Sequence, residues 1–394
     1  MAITRFQFED RFHGWTLKEV SFSALNLLVG TSGVGKTRIL RALQSVRGAG
    51  ISDTRRANGC EWLLELESEG MKFLWTAETS LVVQNPLSLL HNLDEDDEDQ
   101  DAARPRFLRE RIVRDGETVL VERSEEEFIF NGNRLPKLKN TESAITLLHD
   151  EESIAPINRA LRRVIFSDAA EATSAFVPYD VSYLSNIRQR YQDLDKLREA
   201  TDLPIVIKAY ILQEDYPDEF RQIRGEYLEI FDTVNDVKVG KLSELNPSAA
   251  HDVPPFAMDW LVIGVQEDGV SGWVTNPRFS SGMARTLFHL IELTMAPPGT
   301  VIVVDEFENS LGVNCLPQLT NHILKRSREL QFILTSHHPY VIDNVPRSRW
   351  KIVTRHGSTV TVLDEESIPA LKTASAHEKF ILLMNLKEYE EGIQ

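Results

Sequence analysis

"LNLLVGTSGVGKTRIL", residues 25–40, sets a short apolar run ahead of three glycines, a lysine, a threonine and the first turns of a helix. Gly30, Thr31, Ser32, Gly33, Val34, Gly35, Lys36 and Thr37 fit the spacing G-x-x-x-x-G-K-[ST]. A strand before that spacing and a helix after it are the context that gives it meaning. The glycines let backbone N–H groups wrap a β-phosphate at the helix N-terminus, Lys36 reaches the β and γ oxygens, and the Thr37 hydroxyl can ligate Mg²⁺. The stretch therefore reads as a phosphate cradle.

Outward from it, "ITRFQF" and "WTLKEVSF" alternate apolar and polar residues as strands do, and "LNLLV" is a buried strand. Ile39, Leu40, Leu43 and Val46 recur at helical spacing, and "RGAG" is expected to end that helix. Residues 60–134 read as antiparallel strands, with "RDGE" and "NGN" as hairpin turns. From Thr141 to Val239 the pattern is helical, without heptads sustained enough for a long coiled-coil arm. "WLVIGVQEDGVSGWVTN" reads as a hairpin, residues 283–296 as a helix, and "TVIVVDEF" and "QFILTSHH" as strands separated by a helix. Strand–helix alternation of this kind predicts an α/β fold with a parallel core sheet, whose ligands lie at the carboxyl ends of the strands.

The bulk composition narrows the function classes. A formal charge of −17 over 394 residues disfavours general coating of nucleic acid, although 43 Lys and Arg leave room for a local basic patch. Neither a membrane span nor a secretory signal is visible, so a cytoplasmic location without membrane partners is expected. Cys60 and Cys315 are too few and too isolated for a disulfide framework or a zinc site, and read as small core residues. The acidic run 93–106 reads as a solvated surface loop.

Distal motifs supply the remaining chemistry. The apolar strand Val301 to Val304 runs into Asp305, placed to hold the shell of a Mg²⁺ ion, and Glu306, placed to orient and polarise an attacking water. Ser280, Ser281 and Gly282 precede a helix; they form an N-cap, and the same geometry offers N–H groups and hydroxyls to a γ-phosphate. His337 follows a strand and can hydrogen-bond a γ-phosphate or the attacking water, while His338 belongs to the loop before Pro339.

Together and in this order, these motifs resemble the ABC-type ATPases of the SMC-like and RecF-like branch. The resemblance rests on a Walker A run at Gly30 to Thr37, a signature run at Ser280 to Met283, a Walker B run at Val301 to Glu306, a D-loop at Glu308 to Gly312 and a switch histidine, His337. Within that branch, "FSSGMARTLFHLIEL", "VIVVDEFENSLG" and "FILTSHHPYVID" look most like bacterial AAA-type ATPases of anti-phage systems such as Septu, PARIS and retron-associated ATPases.

The resemblance implies a P-loop NTPase with an ABC-type head. Residues 1–140 would be an ATP-binding lobe, 141–250 a helical insertion and 251–394 a lobe with signature, Walker B, D-loop and switch histidine. It implies ATP and Mg²⁺ as cofactors, with Lys36, Glu306 and His337 catalytic and Thr37 and Asp305 on the metal. It also implies a homodimer in which Ser281 and Gly282 act on the partner's ATP and Asn309 to Gly312 cross the seam. The signature lacks the glutamine of transporter subunits, and no Q-loop residue is assigned, Gln84 being one candidate.

About fifty residues follow His337, fewer than a nuclease domain needs, so a separate effector is expected. Two readings stay open beside a switch that controls that effector: a RecF-like DNA clamp, for which "RRANG" or "RALRR" would be the basic stretch, and a scaffold that binds ATP without turning it over.

Overall fold

A computed structural model describes residues 1–51, 53–82, 104–167, 177–200, 203–251, 253–275, 278–368 and 379–384. The acidic residues 93–103 and Gln84 lie outside them. The chain forms two compact units. The first takes its described residues from 1–166, 299–305 and from residue 331 onward, and the second from 167–298 and 306–330.

One fourteen-stranded sheet organises the first unit. Its core is parallel: Val301–Val304 pairs with Gln331–Thr335, which pairs with Leu25–Val29, which pairs with Trp350–His356. Every residue of the first three strands is buried, as expected for strands covered on both faces. The polar residues inside are satisfied. Gln331 exchanges two 2.7 Å hydrogen bonds with the backbone of Ile3, and the Asn26 amide donates to the Phe332 carbonyl at 3.0 Å.

Beyond Thr359–Asp364 and Trp15–Ser21 the sheet turns antiparallel, through Ala2–Asp10, Cys60–Ser68, Met71–Thr79, Phe107–Arg114 and Thr118–Ser124 to the short strands Phe128–Phe130 and Asn133–Leu135. Both expected hairpin turns form. Asp115–Gly116 and Asn131–Gly132 take φ of 52°, 78° and 48°, 77°, the left-handed pairs that suit tight hairpins. Trp62 and Trp75 meet edge to face, 5.1 Å between ring centroids, in the core beneath.

Three local expectations are corrected. The helix after the cradle, Lys36–Ile51, runs through "RGAG" instead of stopping there. Gly50 is needed for packing: a Cβ on it would lie 2.3 Å from Leu161 Cδ1 and 3.2 Å from the Trp75 ring. Val164–Ser167, read as the tail of a helix, is the edge strand of the core beside Val301–Val304. Val234–Lys241, which begins inside the region read as helical, is a strand. The hairpin Trp350–His356 and Thr359–Asp364, which carried no reading, joins the parallel core to the antiparallel half.

In the second unit, helices Val181–Arg190, Leu194–Glu199, Ile205–Asp215 and Pro217–Ile230 accompany a small antiparallel sheet built on Trp260–Glu267. Helices Ser281–Met295 and Leu316–Arg326 complete it. The longest described helix, Lys36–Ile51, has 16 residues, so none makes an extended arm. Among the described residues no helix is long and apolar enough to cross a membrane. Cys60 and Cys315 are buried free thiols, as expected.

Candidate active site

In the first unit the register decides what meets at the carboxyl end of the core. Leu28 aligns with Thr335 and Val304 with Leu334, so the glycine loop, Asp305 and the segment Thr335–His337 leave three adjacent parallel strands at one end. Gly30 and Gly35 adopt φ of 157° and 112°. A Cβ at Gly30 would sit 2.6 Å from the Val353 carbonyl oxygen, and one at Gly35 would sit 3.0 Å from Val360 Cγ2, so both positions require glycine. Val34 is buried, while Ser32 and Gly33 are exposed and Thr31, Lys36 and Thr37 half-buried.

Lys36 Nζ lies 2.7 Å from the Gly30 carbonyl and 3.2 Å from that of Thr31, so the ammonium folds back over the loop. The first helical bond runs from Ile39 N–H to the Gly35 carbonyl at 3.0 Å, which leaves the preceding N–H groups at the positive end of a four-turn helix. A loop so built presents donors and a cation to an anion. Phosphate groups fit it.

Asp305 is held from the neighbouring strand: Thr335 Oγ1 donates to its Oδ1 at 2.6 Å. The described residues contain no group of three or more His, Cys, Asp or Glu able to hold a metal ion. One carboxylate with one hydroxyl nevertheless suits Mg²⁺, which keeps waters and takes its remaining ligands from phosphates. His337 is exposed just beyond the strand. His338 has a structural task, since its Nδ1 accepts from Tyr340 N–H at 3.1 Å and caps the helix Pro339–Asn344.

The second unit carries Glu306, the signature run and the D-loop. Glu306 is exposed and adopts φ 47°, a left-handed conformation uncommon for a residue with a side chain. Asn309 N–H donates to its carbonyl at 2.7 Å, Leu311 N–H donates to the Glu308 carbonyl at 3.0 Å, and Ser310 sits at φ 61°. Ser280 caps the helix Ser281–Met295 by accepting from Met283 N–H at 3.2 Å. Capping thus falls to Ser280, and Ser281 is exposed at the first helical position. Gly282 packs on the D-loop: a Cβ there would lie 3.1 Å from the Ser310 carbonyl and 3.2 Å from Gly312 N.

Arg285 and Tyr227 escaped the sequence reading. Arg285, 4% exposed, donates to the carbonyls of Glu306 (3.3 Å) and Asn309, and its Nε donates to His289 Nε2 at 3.3 Å. An arginine in the largely apolar run "MARTLFHLIEL" was the available signal. Tyr227, fully buried on the helix Pro217–Ile230, donates its hydroxyl to the Met283 carbonyl at 3.3 Å. Burial pushes that phenol far above its usual range, so it stays a donor at any pH the protein meets.

Among solved structures the chain resembles SMC heads. A head bound to the C-winged helix domain of ScpA is 15% identical with TM-score 0.45, covering 92% of this chain and 97% of that one. A Pyrococcus furiosus head with an extended coiled coil, bound to the C-terminal domain of ScpA, is 14% identical with TM-score 0.41, covering 92% and 95%. The head from Thermotoga maritima is 11% identical with TM-score 0.37, covering 92% and 99%. Comparison with curated proteins returns no match. Residues 25–343, from the first residue of the strand before the cradle to beyond His337, match a family profile, and the chain belongs to that family, described as AAA domain, putative AbiEii toxin, Type IV TA system.

Proposed function

We propose that this chain is an ATP-hydrolysing switch that closes as a dimer around ATP and controls a separate effector protein, of nuclease or toxin type, in anti-phage defence. The observation that carries the reading is the Thr335–Asp305 hydrogen bond, which orients one carboxylate at the strand ends where the glycine loop and Lys36 also lie. A family description that joins an AAA domain to a toxin–antitoxin system supports the effector.

In this reading Lys36 leaves the Gly30 carbonyl to neutralise the β and γ oxygens, and Thr37 and Asp305 hold Mg²⁺. Bound Mg²⁺ supplies charge neutralisation on the phosphates. Glu306 polarises the attacking water and His337 faces the γ-phosphate. Ser281 and Gly282 engage the nucleotide of the other copy. Loss of the γ-phosphate then removes the contacts that hold the closed state.

The test is the native mass and composition of tagged Glu306→Gln protein, purified from its own host with Mg-ATP. A multiple of 44.8 kDa with a stoichiometric second protein is expected. Lys36→Ala should bind no ATP. A monomer in every nucleotide state, or equal ATP turnover by wild type and Glu306→Gln, rejects the switch.

A further inference from the structure

His289 sits about two turns beyond Ser281 on the helix Ser281–Met295 and is 6% exposed. A buried imidazole needs a partner for each ring nitrogen. Its Nε2 lies 3.3 Å from Arg285 Nε. A guanidinium can only donate, so Nε2 holds the lone pair and the ring proton belongs on Nδ1. That nitrogen faces Ser167 Oγ at 3.4 Å and Glu292 Oε2 at 3.8 Å, both able to accept. The ring also packs, tilted, on Phe307 with 6.1 Å between centroids. All of these residues belong to the second unit. One neutral tautomer is therefore specified from both sides of the ring.

The consequence falls on Arg285. Its two terminal nitrogens donate to the carbonyls of Asn309 and Glu306, and its Nε donates to His289, so each nitrogen of the guanidinium has an acceptor and the plane of the fork is fixed. With the third acceptor gone, the fork is free to pivot about its two carbonyl bonds, and a buried N–H is left unsatisfied. The bond to the Glu306 carbonyl, at 3.3 Å, is already at the long end of the usual range, so a small tilt is enough to lose it. Glu306 depends on that bond more than an ordinary residue would, because its φ of 47° is a conformation that persists only when held.

We propose that His289 is a positioning residue for ATP hydrolysis. As the neutral tautomer protonated on Nδ1, it accepts from Arg285 Nε and sets the fork that holds the Glu306 carbonyl, and with it the backbone that aims the Glu306 carboxylate. The inference rests on the reading of Glu306 as the group that polarises the attacking water.

The experiment compares steady-state ATP turnover by wild type, His289→Gln, His289→Asn and His289→Leu, with Glu306→Gln beside them. A glutamine side chain places an acceptor near the position of Nε2, asparagine reaches only as far as Nδ1, and leucine offers none. The glutamine variant should keep kcat within about threefold of wild type, and the other two should lose at least about tenfold, with KM within about twofold throughout, because the lost contact serves the chemical step and not the cradle. Leucine and glutamine fill similar volumes, so a role in packing alone would treat them alike. Nitrogen NMR of histidine-labelled protein at neutral pH, with the His289 signals assigned by their absence from the glutamine variant, should show Nδ1 protonated and Nε2 bare. If the leucine variant fails to fold, the contrast of glutamine with asparagine and this spectrum decide.

A protonated Nε2 overturns the proposal, as does equal turnover by the glutamine and leucine variants. If Glu306→Gln is slow while His289→Asn and His289→Leu match wild type, the proposal falls alone. If wild type and Glu306→Gln turn over ATP equally, the reading of Glu306 falls and takes the proposal with it.

Discussion

Arg285 holds the backbone carbonyl of Glu306 from the helix that begins at Ser281, four residues earlier. Its guanidinium spans to the Asn309 carbonyl as well, so one buried cation braces both ends of a turn whose first residue is left-handed. A strained residue persists only where its surroundings over-determine it. Here the signature helix supplies that determination, which gives any contact at Ser281 a physical route to Glu306 within one compact unit.

Replacing Arg285 by lysine keeps the charge but cannot reach two carbonyls with a planar fork. ATP turnover is expected to fall at least about tenfold while nucleotide affinity stays within about twofold, because the cradle lies on other elements. Arg285→Ala should in addition lower stability by about 1–3 kcal/mol through carbonyls left unpaired. Steady-state kinetics, nucleotide titration and thermal melts of the two variants check this, and unchanged turnover in the lysine variant rejects it.

Thr335→Val removes the hydroxyl bonded to Asp305 and keeps the side-chain shape. The carboxylate then loses its orienting donor, and groups that orient a metal ligand are typically worth 10–100-fold in affinity or activity. The concentration of Mg²⁺ giving half-maximal turnover should rise about tenfold, and Thr335→Ser should restore it. A valine variant with an unaltered Mg²⁺ requirement would show that Asp305 does not serve the metal.

Glu110 offers a pH test of the sheet. It is fully buried, accepts from Trp75 Nε1 at 3.1 Å and Ala144 N–H at 2.8 Å, and faces Arg123 at 3.4 Å. Burial pushes its carboxyl up to about 7, against the pull of Arg123. The folded chain therefore keeps a proton that the unfolded chain sheds near 4.5, and this group's contribution to stability is lost as pH rises from there through about 7. Glu110→Gln removes the titration. Its melting temperature relative to wild type should climb between pH 5 and pH 8; a decline would mean that the ion pair outweighs the burial.

What the sequence discloses follows the range of the interactions involved. The cradle is legible because its glycines answer to local backbone demands, and the hairpins at Asp115–Gly116 and Asn131–Gly132 are legible for the same reason. Gly50 misleads because its reason is tertiary, the approach of Leu161 and Trp75. Val164–Ser167 has four residues, too few to separate strand from helix by periodicity, and only its neighbour Val301–Val304 decides. Arg285 and Thr335 were beyond a motif reading, since each acts on a residue 20 to 30 positions away.

In the proposed switch Tyr227 would couple the signature run to the helix Pro217–Ile230. Its hydroxyl donates to the carbonyl of Met283, two residues after Ser281, and the same helix ends at Ile230, whose carbonyl accepts from Asn314 at 3.2 Å. The helix Pro217–Ile230 is thus tied to both the signature run and the segment after the D-loop. Tyr227→Phe keeps the ring, which packs on Phe231 at 4.8 Å, and removes only the donor. Stability should drop by about 1 kcal/mol, the usual net worth of one such bond. In the Glu306→Gln background with Mg-ATP, the intact tyrosine should give slowed amide exchange over Pro217–Ile230, and the phenylalanine variant should lose most of that slowing while binding ATP equally well. Equal slowing in both would mean that the bond only holds the helix in place, and that the signal travels through Asn314.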